Sequence, residues 1–152
     1  MTELELKKYL KLACENFVSS KLATIQNTIN SNKDSLDSES KSSAGDKHET
    51  GRAMLQLEME KAGQQLSQVR QMKLMVEKIN DSKLSEVVAL GSVVKTNVGN
   101  YFLGVSVGKI TVSNEDYFLI SPGSPIGREL LGKSKGQSFK LRGNVSLVTD
   151  VF

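Results

Sequence analysis

The sequence predicts an α+β chain: an N-terminal antiparallel two-helix coiled-coil hairpin, then a small antiparallel β domain with one short helix. Three observations point to it. Between Glu3 and Lys41 there is neither Gly nor Pro, and apolar residues recur at helical spacing on both sides of a polar stretch, Ser42 to Thr50. After Asn80 the period changes, and β-branched and aromatic residues alternate with polar ones between Gly- and Asn-rich turns. Late in the chain, Ser124-Pro125 and Gly132 bracket Ile126 to Leu131 with the start and stop chemistry of a short helix.

A length of 152 residues suits one ordinary domain, or a small domain with an extended arm. Aromatic residues make up only 5% and Trp is absent, so one large spherical core is not expected. The net charge of +3 is too small for nucleic-acid binding driven by the protein's field alone. It is also evenly spread: 13 bases and 12 acids precede Leu84, and 7 bases and 5 acids follow from there. Cys14 is the only cysteine, which excludes an intrachain disulfide. The acidic start, Met1 to Glu5, is not a signal peptide, and no apolar run approaches the roughly 20 residues of a membrane helix. A soluble, cytoplasmic protein without a membrane partner is expected.

The hairpin is expected over residues 1–80. In its first helix, Leu10, Phe17, Val18, Leu22, Ile25, Ile29 and Leu36 form an apolar stripe. Lys7, Lys11, Lys21, Asn27, Lys33 and Asp34 are expected on the solvated face opposite. The second helix, from about Asp46 to Asn80, has Leu55, Met59, Ala62, Leu66, Val69, Met72, Val76 and Ile79 at coiled-coil spacing. Folding about Gly45 sets Ile29 against Ala62, Ile25 against Leu66 and Leu22 against Val69, three apolar pairs in one register. Each helix spans about 50 Å at 1.5 Å per residue, so the arm is expected to project. A hairpin that satisfies its own seam favours a monomer. Cys14 is expected to be a small packing residue and Gly63 an exposed, tolerated glycine.

The β domain is expected over residues 84–152. Val87-Val88, Val93-Val94, Tyr101 to Leu103, Val105 to Val112 and Tyr117 to Ile120 supply strands. They are separated at Gly91-Ser92, Asn97 to Asn100, Gly108 and Asn114 to Asp116. Ser124 suits a helix N-cap, Pro125 its first position and Gly132 its stop. Ser138 to Leu141 and Val145 to Val151 close the chain as a hairpin turned at Arg142-Gly143-Asn144.

Two motifs bear on chemistry. Gly127 to Ser134 fits the phosphate-loop pattern G-x-x-x-x-G-K-[ST], but that loop needs a strand before it and a helix starting at the Lys. Here the predicted helix lies inside the motif, so a nucleotide site is rejected. At the hairpin tip, Asp46 and Glu49 are three apart, on one side of a helix start. Spacing alone favours a capping box, with Asp46 accepting a backbone N–H and Glu49 reaching back. His48 is the only histidine, so no site built on two histidines can form.

Ile120-Ser121-Pro122-Gly123-Ser124-Pro125-Ile126-Gly127-Arg128-Glu129-Leu130-Leu131-Gly132-Lys133-Ser134-Lys135-Gly136 resembles the C-terminal signature of the bacterial Gre transcript-cleavage factors, S-P-x-S-P-[LI]-[GA]-x-[AG]-[LI]-[LI]-G-K-x-x-G-D. Gly45-Asp46-Lys47-His48-Glu49 keeps the family's G-D-x-x-E tip frame. Thr50-Gly51-Arg52-Ala53 replaces its usual N-A-E-Y, Glu129 stands for Ala or Gly, and Gln137 for Asp.

The resemblance implies a coiled coil followed by an FKBP-like β domain, with RNA polymerase as the partner and nascent RNA met through it. It further implies that the tip enters the secondary channel and promotes cleavage of backtracked transcript. Asp46 would then be the main ligand of a Mg²⁺ shared with the polymerase and Glu49 its orienting partner, two metals stabilising the attacking and leaving oxygens. Such a protein is no enzyme by itself and has no cofactor of its own. Lys47 and Arg52 would touch transcript or polymerase; Ser121, Pro122, Ser124, Pro125, Arg128 and Lys133 would dock the β domain. Lys135, Lys140 and Arg142 complete a basic cluster suited to an acidic polymerase surface.

For Asp46 and Glu49, capping and metal binding both stay open. Three other functions compete: a secondary-channel regulator without cleavage, a prolyl isomerase implied only by the FKBP-like fold, and a coiled-coil adaptor. An isomerase needs an aromatic pocket floor from Tyr101, Phe102, Tyr117, Phe118, Phe139 or Phe152, residues that a small core would consume.

Overall fold

The computed structural model describes residues 1–40 and 45–152, and side chains outside residues 39–48. Helix α1 spans Glu3–Ser40 and helix α2 spans Gly45–Glu77. Thr2 and Glu5 close a reciprocal cap at the start of α1: Thr2 Oγ1 accepts from the Glu5 amide at 3.1 Å, and Glu5 Oε2 accepts from the Thr2 amide at 2.8 Å. The chain forms two compact units that part inside both helices: Val18–Lys73, and Met1–Phe17 together with Leu74–Phe152.

Within Val18–Lys73 the two helices pair as an antiparallel hairpin. One groove between them is lined by Ser20, Thr24 and Ile25 from α1 and by Gln68, Val69 and Met72 from α2. The next is lined by Thr28 with Glu58 and Ala62, so one helix number rises as the other falls. Ala62 and Val69 are buried; Leu22, Ile25, Ile29, Leu55, Met59 and Leu66 are half-buried, the stripe the periodicity predicts. Gly63 is exposed with open space beside it. Asn32 departs from the expectation. It occupies the stripe between Ile29 and Leu36, is buried, and its Nδ2 has no hydrogen-bond partner among the described residues.

The other unit carries β1 (Val93–Thr96), β2 (Asn100–Leu103), β3 (Gly108–Val112), β4 (Glu115–Ile120), α3 (Pro125–Leu130), β5 (Ser138–Leu141) and β6 (Asn144–Val151). They form one six-stranded sheet in the order β3-β4-β2-β1-β6-β5. The sheet is mixed, not purely antiparallel as the sequence predicts. β2 and β4 run parallel, Asn100 beside Tyr117 and Leu103 beside Ile120, because β4 enters the slot that a β2–β3 hairpin would have closed. Gly104 to Val107 makes that detour, with the Gly104 amide donating to Ile120 O at 2.8 Å. Val87-Val88 is no strand but a single bridge from Val87 to Ser134. The β3–β4 turn falls at Ser113-Asn114, both with positive φ (52° and 65°), so Glu115 and Asp116 begin β4 instead of forming the turn.

Register separates the two faces of the sheet. Val94, Tyr101, Leu103, Val148 and Val151 pack with Leu130 of α3 and Phe139 of β5, and Ile126 completes this core. On the opposite face, Val93, Phe102 and Leu119 share a row and are all buried. The first turns of α1 cover it: Leu6 lines a cleft with Val112, Tyr117 and Phe152, and Cys14 Sγ and Phe102 crowd Gly104 from two sides.

Lys7 contradicts its expected place on a solvated face. It is only 2% exposed, and its Nζ donates to Lys83 O at 2.7 Å. Its helical turn faces the connection between α2 and the sheet, so the amine ties the two together. Burial pulls its pKa down, and Asp81 and then Glu3 oppose that shift.

Candidate functional site

The Ser121–Gly136 segment folds around the short helix α3, and its geometry shows what each residue does there. Ser124 caps α3 with extended backbone (φ −67°, ψ 158°), and its Oγ accepts from the Gly127 amide at 3.1 Å. The same hydroxyl donates to Ser121 O at 2.7 Å. A Cβ on Gly127 would lie 2.1 Å from Ser121 O, so the loop closes on a position without a side chain. Pro125 fills the first helical position, where no amide partner is needed. Gly132 takes φ +79° and donates its amide to Val88 O at 2.9 Å. Gln137 Oε1 accepts from the Ser134 amide at 2.7 Å, so Gln supplies the acceptor where the signature has Asp.

Among the expected docking residues, Ser121 and Ser124 therefore shape the loop from within. Pro122 and Lys133 are half-buried, while Pro125 and Arg128 are exposed. Lys135, Lys140 and Arg142 are exposed as well. The phosphate-loop match fails, since α3 starts before it and ends ahead of Lys133, and Ser124 already engages the Gly127 amide.

At the tip, the backbone of Asp46, Lys47, His48 and Glu49 is helical within α2. The side chains of Asp46, Lys47 and His48 lie outside the described residues, and with them the choice between capping and metal binding. Glu49 is exposed and Arg52 half-buried. Among the described residues no group of three or more His, Cys, Asp or Glu is placed to hold a metal ion, and no helix is long and apolar enough to cross a membrane.

One polar cluster was not anticipated from the sequence. Glu115 Oε2 accepts from Tyr117 Oη at 3.0 Å and pairs with Lys95 Nζ at 3.3 Å, beside the cleft lined by Leu6 and Asp150. The Tyr117 hydroxyl, then Lys95, holds the Glu115 carboxyl below its ordinary range; burial first and Glu115 second push Tyr117 up to about 12. Glu115 reads in the sequence as a turn residue, which hides it. Of the six aromatic residues considered for a prolyl pocket, all but Phe118 are buried in the two cores.

No protein-family profile matches the chain, and no curated protein does. Among solved structures, that of the transcription factor Gfh1 is similar over 90% of this chain and 91% of its own, with 17% sequence identity and a TM-score of 0.35, too distant a likeness to bear on activity.

Proposed function

We propose that this chain is a transcription factor of the Gre type that binds RNA polymerase and inserts its hairpin tip into the secondary channel, promoting cleavage of backtracked transcript. The observation that supports it is the Ser121–Gly136 signature, whose capping Ser, helix-starting Pro and close-packed Gly all meet local demands in this fold. The protein acts without a cofactor of its own. Asp46 would ligate a Mg²⁺ shared with the polymerase, with Glu49 as its orienting partner, because one or two carboxylates suffice for an ion that keeps most of its waters. Lys47 and Arg52 face transcript or channel wall, and Pro122, Pro125, Arg128 and Lys133 meet the polymerase exterior.

A second function, channel occupancy without cleavage, is favoured by one departure: Thr50-Gly51-Arg52-Ala53 replaces the family's N-A-E-Y beside the acids. Stalled, backtracked complexes separate the two. Wild-type protein should shorten the RNA and Asp46→Asn should not, with polymerase binding retained. Unchanged RNA length with intact binding leaves the regulator. No binding at all ends both.

A further inference from the structure

The two faces of the sheet are covered unequally. α3 packs on one face; on the other, the start of α1 covers Val93, Phe102 and Leu119 but leaves the β5–β6 end bare. Register places Lys140 directly opposite Val145, and Ser138 opposite Leu147. These four share the bare face, since Phe139 and its partner Ser146 are buried on the other. Val145 is 69% exposed and Leu147 44%. Asn97 bonds Leu147 in both directions, its amide to Leu147 O at 3.2 Å and its Oδ1 from the Leu147 amide at 2.8 Å. That brings the β1–β2 turn, with Val98 at 50% exposure, against the same patch. Single exposed apolar residues need no explanation, but three joined by register and hydrogen bonds form a surface.

Charge selects the occupant. Residues 117–149 contain Arg128, Lys133, Lys135, Lys140 and Arg142 against one acid, Glu129. Lys140 and Arg142, at the patch and its turn, are exposed and form no ion pair among the described residues. The nearest acid along β6, Asp150, lies beside Lys95 and bonds the Val151 amide. A two-fold pairing of this face with a second copy would set like charges together. A nucleic-acid backbone would pair with Lys140 and Arg142 but bury nothing against the valines and leucine. A protein surface with acidic and apolar side chains matches both halves of the patch.

We infer that the bare β5–β6 face, centred on Val145, Leu147 and Lys140, docks an acidic, partly apolar protein surface of RNA polymerase, a contact separate from the Ser121–Gly136 loop. This rests on the polymerase-binding function proposed above. The test titrates purified, nucleic-acid-free core polymerase with wild type, Val145→Ser/Leu147→Ser and Lys140→Glu. Because the three side chains are exposed, urea midpoints should not move. Affinity should fall at least ten-fold for the double variant and several-fold for Lys140→Glu, and wild-type binding should weaken as salt rises. Wild-type affinity in the double variant overturns this surface alone; absence of wild-type binding overturns the polymerase function and the surface with it. Competition by single-stranded RNA, or self-association lost in the double variant, overturns it in favour of nucleic acid or a second copy.

Discussion

Replacing Ser124 with Ala tests whether the signature loop is held by its own hydroxyl. The side chain makes two bonds, accepting from the Gly127 amide at 3.1 Å and donating to Ser121 O at 2.7 Å. Loss of an N-cap costs about 1 kcal/mol, and loss of a second, part-buried bond about another 1 kcal/mol. Ser124→Ala should therefore destabilise the sheet-containing unit by about 2 kcal/mol. Ser124→Asp keeps the acceptor for Gly127 and loses the donor to Ser121, so it should forfeit roughly half of that. Urea unfolding followed by tyrosine fluorescence reads the difference, because all three tyrosines lie in this unit. The slope should stay constant while the midpoint shifts. A loss below about 0.5 kcal/mol for Ala, or an equal loss for Asp and Ala, would refute the two-bond account. At temperatures where both variants are folded, polymerase affinity should follow wild type, since the hydroxyl is already engaged inside the loop.

Three further outcomes follow from buried polar groups. Asn32→Leu removes an unpartnered buried amide from the hairpin seam and should raise the helical melting temperature, by roughly 1–2 kcal/mol of stability; a drop would mean that the amide holds a partner in solution. The Tyr117 pKa is raised in the fold, so its contribution is complete below pH 10 and is lost as pH rises toward about 12. Wild type should lose on the order of 2 kcal/mol across that window and Tyr117→Phe markedly less; equal alkaline losses would rule the phenol out. Cys14 is fully buried and burial raises its pKa, so a thiol reagent at pH 8 should label it only as fast as the unit unfolds. Rapid labelling of native protein would show that the helix base opens on its own.

The parts of this molecule that depend on local spacing were legible in the sequence. Steps of three and four placed Ile25, Ile29, Ala62 and Val69 on one seam, and Ser124, Pro125 and Gly132 bounded α3 to within one residue. What depended on distant partners was not. Alternation marks Asn100–Leu103 and Glu115–Ile120 as strands but carries no sign of whether they pair with a hairpin neighbour or across a detour. Lys7 reads as solvent-facing until the Lys83 carbonyl, 76 residues away, comes within 2.7 Å. Asn32 is polar in a stripe, and only packing shows that it lies inside. The capping pair Thr2 and Glu5 is hidden in the sequence, because the apolar run that should follow it begins weakly.

The chain leaves the sheet-containing unit after Phe17 and rejoins it at Leu74, so that unit is assembled from two separate stretches of chain. Leu6, Leu10 and Cys14 are made well before the strands they roof. A growing chain must hold that segment in waiting until those strands have left the ribosome. A fragment begun at Leu84 would lack its roof altogether, leaving Val93, Phe102 and Leu119 open to water and prone to stick to one another.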